Sequence, residues 1–190
     1  VQSFTSYAGQ KCSACSRVIV LESIYEAFIQ RLADAVMSLR IGAAEDPATQ
    51  LGPVIDGRAQ KRIRDYLEIG RREGRVVVDR SMEGPGHAVG PVVIAGIEPT
   101  HRLAQEEIFG PVLAVMRALS FEQALQLANG TTYALTGGLY SRSPRHIELA
   151  RQAFDVGNLY INRSITGALV GRQPFGGHRL SGIGAKAGGE

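Results

Sequence analysis

The chain has 190 residues, 44% of them hydrophobic and 21% charged, and a formal net charge of +3. That is enough chain for a full hydrophobic core, with the ordinary composition of a soluble globular protein. Lysines and arginines alternate with Asp and Glu instead of clustering, which argues against nucleic acid as a partner; no apolar stretch reaches the length of a membrane span, and no signal peptide is expected.

The first informative segment is Gly9-Gln10-Lys11-Cys12-Ser13-Ala14-Cys15-Ser16-Arg17, followed at once by Val18-Ile19-Val20-Leu21. The β-branched run predicts a strand, so Cys12 stands on a loop leading into a sheet, where a rigid scaffold tends to hold reactive groups. Lys11 and Arg17 supply positive charge that favours a thiolate, and Gly9 permits a tight backbone. The plain alternative is a free cysteine kept for packing. Cys12 and Cys15 also make one C-x-x-C. A structural zinc site would need further ligands, and the histidines lack the spacing to supply them, so no metal site is expected. A thioredoxin-like redox pair stays open, although there the first cysteine opens a helix and here a strand follows. With no other cysteine in the chain, a disulfide scaffold is excluded.

Ser23-Ile24-Tyr25-Glu26 reads as a capping box, with Ile24, Phe28, Leu32, Ala35, Val36 and Leu39 tracing the inner face of a helix that stops at Gly42. After a loop at 45–55, a second helix is predicted over 56–69, burying Ile63, Tyr66 and Leu67 and ended by Gly70. Val76-Val77-Val78, 91–95 and 110–116 read as strands, with a turn-rich excursion at 81–90. Ser120-Phe121-Glu122-Gln123 repeats the capping box. Leu139-Tyr140 closes a strand, Ser143-Pro144 opens a helix burying Ile147, Ala150 and Phe154, and 157–162 is the last clear strand. This alternation predicts an α/β domain with a largely parallel sheet and functional loops near the carboxyl ends of strands.

Two further loops share the character of the first. Glu106-Glu107-Ile108-Phe109-Gly110-Pro111 sets a carboxylate that could accept from ribose hydroxyls beside an aromatic that could pack on a flat ring; the alternative is a strand start with a solvated acidic pair. The run from Thr166 to Gly177, Thr166-Gly167-Ala168-Leu169-Val170-Gly171-Arg172-Gln173-Pro174-Phe175-Gly176-Gly177, offers backbone N–H groups to an anion, or is a plain connector.

Taken in order, Gly-Gln-x-Cys, Glu-Glu-Ile-Phe-Gly-Pro and Pro-Phe-Gly-Gly-x-x-x-Ser-Gly resemble the NAD(P)-dependent aldehyde dehydrogenase superfamily over nearly the whole chain. The segments around Cys12 and after Thr166 are similar to its 1-pyrroline-5-carboxylate (L-glutamate γ-semialdehyde) dehydrogenase branch. The resemblance implies a three-layer fold, a largely parallel sheet with helices on both faces. It implies that Cys12 attacks the aldehyde, passing through a thiohemiacetal and a thioester, with its own N–H as one oxyanion donor. It implies that Glu107 holds the nicotinamide ribose and that Phe109 packs beside it. It implies further that Ser13, Gly167 and Ala168 hold the substrate's α-carboxylate and amino group, with Phe175 lining its aliphatic part. NAD is the implied cofactor, with NADP as the alternative, and Cys15 has no assigned role. Arg179 departs from the lysine that many relatives carry.

On the same resemblance, residues 1–190 are expected to be the thiol-bearing catalytic domain of a longer, homo-oligomeric, cytoplasmic enzyme of proline catabolism (mitochondrial matrix if eukaryotic). Its dinucleotide-binding domain, general-base glutamate and oxyanion asparagine would precede this chain and a C-terminal tail would follow, leaving these residues inactive alone. The rival expectations are an aldehyde dehydrogenase of other substrate range, a domain of a bifunctional proline-catabolic protein, a scaffold that has lost activity, and a thiol-disulfide domain.

Overall fold

The computed structural model describes residues 1–188, which form two compact units, Val1–Leu119 and a second from Ser120 onward. In the first unit a short helix, α1 (Gln2–Thr5), runs into a 3-10 turn at Ser6–Gly9 and the cysteine loop, then β1 (Arg17–Leu21), α2 (Tyr25–Met37), α3 (Gly57–Glu73), β2 (Arg75–Asp79), β3 (Val92–Ala95), α4 (Arg102–Gln105) and β4 (Val112–Ala118). The strands form one sheet in the order β1-β4-β3-β2, in which only β2 runs antiparallel. Seven residues make up β4 and all but Arg117 are buried, as a central strand covered on both faces requires. Val93, Ala95, Leu113 and Val115 face Tyr25, Ile29, Leu32 and Val36 of α2 in one core cluster. The opposite face meets α3, where Gly70 lies against Ile94 and Leu103. The expected α/β arrangement, a mostly parallel sheet between helices, is therefore present.

The register of α2 differs from the sequence reading. Its first turn is a 3-10 turn at Glu22–Ile24 without a side-chain cap, and Ile24 and Ala35 are exposed while Tyr25 and Ile29 are buried. Tyr25 turns inward because its hydroxyl accepts from the Gly96 N–H at 3.1 Å and the Arg117 guanidinium covers its ring at 4.2 Å. Glu26 is taken up by Arg117 at 2.7 Å instead of returning to the helix end. At the other end of α2, Arg80 donates to the carbonyls of Val36, Met37 and Leu39, groups that a helix terminus leaves without partners.

The second helix starts where Asp56 accepts from the Ala59 N–H at 2.7 Å, but it runs through Gly70 to Glu73. Gly70 is there for close packing and does not end the helix: an added Cβ would lie 2.4 Å from Ile94 Cδ1 and 2.6 Å from Leu103 Cδ2. Gly70→Ala should therefore lower stability by about 1–2 kcal/mol, overpacking outweighing the ~1 kcal/mol that alanine gains in helix propensity. A urea midpoint that rose would reverse that sign.

The second unit holds α5 (Phe121–Asn129), β5 (Tyr133–Ala134), β6 (Thr136–Leu139), α6 (Pro144–Ala153), β7 (Asn158–Ile161) and β8 (His178–Arg179). Both expected N-caps form: Ser120 accepts from the Gln123 N–H at 3.1 Å and Ser143 from the His146 N–H at 3.3 Å. β6 and β7 pair in parallel, and β5 pairs antiparallel with β8. Gly157 and Gly177 let the chain segments close, since a Cβ would fall 1.9 Å from the Gly176 oxygen at the first and 2.7 Å from the Ala134 oxygen at the second.

Candidate active site

Cys12 lies exposed in a turn closed by the Ala14 N–H donating to the Lys11 carbonyl at 2.9 Å. The approach to it is strained, with Tyr7, Ala8 and Gly9 all in the left-handed region. For Tyr7 and Ala8 this costs about 1–2 kcal/mol each, a price the surrounding structure must enforce. The enforcing contact is at Gly9, whose Cα faces the Gly110 carbonyl so closely that a Cβ would stand 2.2 Å from its oxygen. Lys11 extends over the exposed Tyr7 ring at 4.5 Å, and the Gln10 side chain accepts from the Ile55 N–H at 3.0 Å. Ser13 is buried, and the Cys12 N–H has no acceptor among the described residues.

The segment facing Gly9 is the acidic loop ahead of β4. Because β1 and β4 are parallel neighbours, with Arg17 opposite Ala114, the cysteine loop and the acidic loop enter the sheet side by side at the amino ends of their strands. The expectation of carboxyl-end loops fails in this unit because both candidate segments precede their strands. In the second unit the glycine-rich run follows β7, at the carboxyl end of that strand.

The two adjacent carboxylates have opposite fates. Glu106 accepts from Arg102 Nε and Nη2, each at 2.8 Å, and from the Tyr66 hydroxyl at 2.7 Å. Hydrogen bonds from Arg102 and then Tyr66 pull its pKa down to about 2. The same carboxylate raises the pKa of Tyr66. Glu107 is exposed and makes no hydrogen bond or ion pair among the described residues. Phe109 is half-buried with φ 55°, and Gly110 packs on Ile63 of α3. The Arg102–Glu106 spacing is a helix-type i,i+4 signal visible in the sequence, but nothing local points to Tyr66.

Cys15 behaves unlike Cys12. It is half-buried, its thiol donates to the Arg17 carbonyl at 3.4 Å, and burial pushes its pKa up to about 11. At pH 8 iodoacetamide should therefore label Cys12 and leave Cys15 largely unmodified. The second label should enter only as the pH rises toward 11, where Cys15 ionises. Peptide mass spectrometry checks this, and equal labelling at pH 8 would contradict it.

In the second unit, the N–H groups of Gly167 and Ala168 have no acceptor among the described residues, while Arg163 reaches the Gly167 carbonyl at 3.4 Å. Phe175 is half-buried and exchanges main-chain hydrogen bonds with Ala187 at 2.8 and 3.0 Å. Asn158 brackets the loop from β7, donating to the Pro174 carbonyl and accepting from the Gly176 N–H. Arg179 donates to the carbonyls of Asn129 and Thr131 and pairs with Asp155, a forked geometry that a lysine would not reproduce. Its place is structural.

Among curated proteins, the chain is similar to the 1-pyrroline-5-carboxylate dehydrogenase of Geobacillus sp. (strain WCH70), 46% identical over 190 residues that make 100% of this chain and 37% of that protein. Among solved structures it is similar to 1-pyrroline-5-carboxylate dehydrogenase from Thermus with bound NAD, at TM-score 0.92 and 47% identity, covering 98% of this chain and 36% of that one. It is also similar to proline utilization A (PutA) from Bdellovibrio bacteriovorus, at TM-score 0.95 and 45% identity, covering 99% and 20%. The chain thus spans little more than a third of the length of the curated relatives it matches, 37% in the first case. No helix among the described residues is long and apolar enough to cross a membrane. The family profile matches residues 1–190 without a gap at either end, and the chain belongs to the aldehyde dehydrogenase family.

Proposed function

We propose that this chain supplies the nucleophile and the nicotinamide-ribose contact of an NAD-dependent dehydrogenase oxidising L-glutamate γ-semialdehyde to L-glutamate in proline catabolism. The observation that carries the reading is the Gly9–Gly110 contact, which sets the loop of an exposed thiol against the loop of an unpartnered carboxylate. The names of relatives similar over the whole chain favour this substrate over other aldehydes.

In this reading the Cys12 thiolate attacks the aldehyde carbon, and the carbonyl electron pair moves to oxygen to give a thiohemiacetal oxyanion. The unpaired Cys12 N–H is a donor for that charge. NAD, when bound, would supply the acceptor for the hydride of that carbon, whose departure would leave a thioester on Cys12. Water then adds to the thioester, releasing the acid and the free thiol. Glu107 and Phe109 fit the cofactor's ribose and ring as an exposed acceptor beside an aromatic. Within the first unit the buried Ser13 is a group of the kind that suits an α-carboxylate; within the second, the free N–H groups of Gly167 and Ala168 are of the same kind, and Phe175 suits an aliphatic chain.

The water-activating base and most of the dinucleotide surface are proposed to lie outside these 190 residues, so the 190-residue chain alone should give no measurable turnover. In the full-length enzyme, NADH formation from 1-pyrroline-5-carboxylate should exceed that from short aliphatic aldehydes by at least about 10²-fold in kcat/KM, since polar groups built for a carboxylate are left unpaired by substrates lacking one. Equal rates would favour a broad-range aldehyde dehydrogenase. NADP would replace NAD if it gave the higher kcat/KM in the same assay.

A further inference from the structure

We propose that Tyr66, Arg102 and Glu106 form a positioning clamp for the adjacent Glu107, fixing the backbone from which that carboxylate reaches the nicotinamide ribose; this rests on the ribose-binding reading given above. The clamp ties the loop to α3 on its near side. Glu106 takes both arms of the Arg102 fork and the Tyr66 hydroxyl, all within 2.7–2.8 Å, and the guanidinium lies 5.6 Å above the Tyr66 ring. Arg102 is itself held, because Glu73 at the end of α3 accepts from the N–H groups of Arg102 and Leu103 at 2.9 and 3.1 Å.

The far side of the loop is tied as well, by Gly110 against Ile63 and Gly9. Between the two ties stand only Glu107, the buried Ile108 and the left-handed Phe109. An exposed ion pair of this kind adds little to stability. Its forked geometry, closed by a third donor, instead fixes direction. A loop ordered before the cofactor arrives avoids the cost of ordering it on binding, which is how a side chain that never touches the ligand can set affinity. Glu107 itself stays unpaired and available.

The test uses the full-length enzyme, NADH binding followed by fluorescence, and AMP as a competitor that lacks the nicotinamide ribose. Glu106→Gln should raise the Kd for NADH and the KM for NAD about tenfold, short of the ~10²-fold that a 1 Å misplacement can cost. The aldehyde KM and the AMP affinity should stay within about twofold, because neither depends on this loop's direction. Tyr66→Phe should act in the same sense but less, and adding it to Glu106→Gln should worsen binding little further, since both act through one carboxylate. Glu107→Gln is the reference for the ribose contact. If Glu106→Gln binds NADH like the parent while Glu107→Gln does not, the clamp is overturned and the ribose reading stands. If Glu107→Gln also binds like the parent, the ribose reading itself falls. Equal weakening of NADH and AMP by Glu106→Gln would show general damage and overturn the clamp.

Discussion

Replacing Cys12 by alanine in the full-length enzyme is expected to lower aldehyde-dependent NADH formation by at least about 10⁴-fold, because it removes the covalent route itself. No neighbour can take over. Ser13 is buried, and Cys15 keeps its proton, raised to about 11, while bonded to the Arg17 carbonyl. Because Cys12 is exposed in a turn, the substitution should change stability by no more than about 0.5 kcal/mol, so lost activity would report chemistry and not unfolding. Cys15→Ala should keep activity within about threefold, its small cavity being felt mainly in stability. Steady-state rates, with mass-spectrometric trapping of the acylated parent enzyme, make the comparison. Equal and large losses in both variants would transfer the site to a Cys12–Cys15 redox pair.

The parts of this protein that were legible in the sequence are those set by local physics. Apolar, valine-rich runs gave β1 to β4 to within two residues at every end, and the Ser120 and Ser143 caps fell where a short polar side chain precedes a helix. Glycine was harder to read, because it serves two purposes. At Gly70 it makes room for Ile94 and Leu103 inside a continuing helix, and nothing in the sequence separates that use from a stop. Likewise Tyr25 can face water or core, and only Gly96 and Arg117, far along the chain, decide it.

The site divides the same way. Cys12 and Glu107 are readable as residue types in a motif, but their proximity depends on β1 choosing β4 as its parallel neighbour, a pairing of Arg17 with Ala114 that no local pattern states. Nor does any pattern announce that Glu106 is consumed by Tyr66 and Arg102 while Glu107 is spared. The left-handed Tyr7, Ala8 and Phe109 are invisible from sequence because non-glycine residues seldom adopt that backbone. Their clustering on the two loops that meet at Gly9 is where a local rule is broken in favour of the site.

Gly9→Ala should be the most destabilising single change near this site, and Gly96→Ala separates its causes. The two glycines share a positive φ, +70° at Gly9 and +72° at Gly96, so alanine meets a left-handed penalty of about 1–2 kcal/mol at either. Their surroundings differ. At Gly96 a Cβ meets nothing within 4 Å. At Gly9 it would lie 2.2 Å from the Gly110 oxygen, 2.3 Å from its carbon and 2.8 Å from the Pro111 nitrogen, all main-chain atoms that no rotamer change can move. One loop must shift, and each is tied down: Pro111 through its carbonyl to the Val92 N–H, and the cysteine loop through Gln10 and through the Cys15 N–H to Ser3. Gly96→Ala should therefore cost only that penalty, about 1–2 kcal/mol, and leave activity intact. Gly9→Ala should cost at least about 4 kcal/mol, in the range reserved for forced backbone displacement, or prevent folding. Any Gly9→Ala protein that folds should lose kcat and NAD affinity together, because the thiol and ribose-contact loops are pushed apart. Urea midpoints of the two variants, measured side by side, decide the matter: equal destabilisation would mean that the two loops do not meet at Gly9, and the site built on that contact would fall with it.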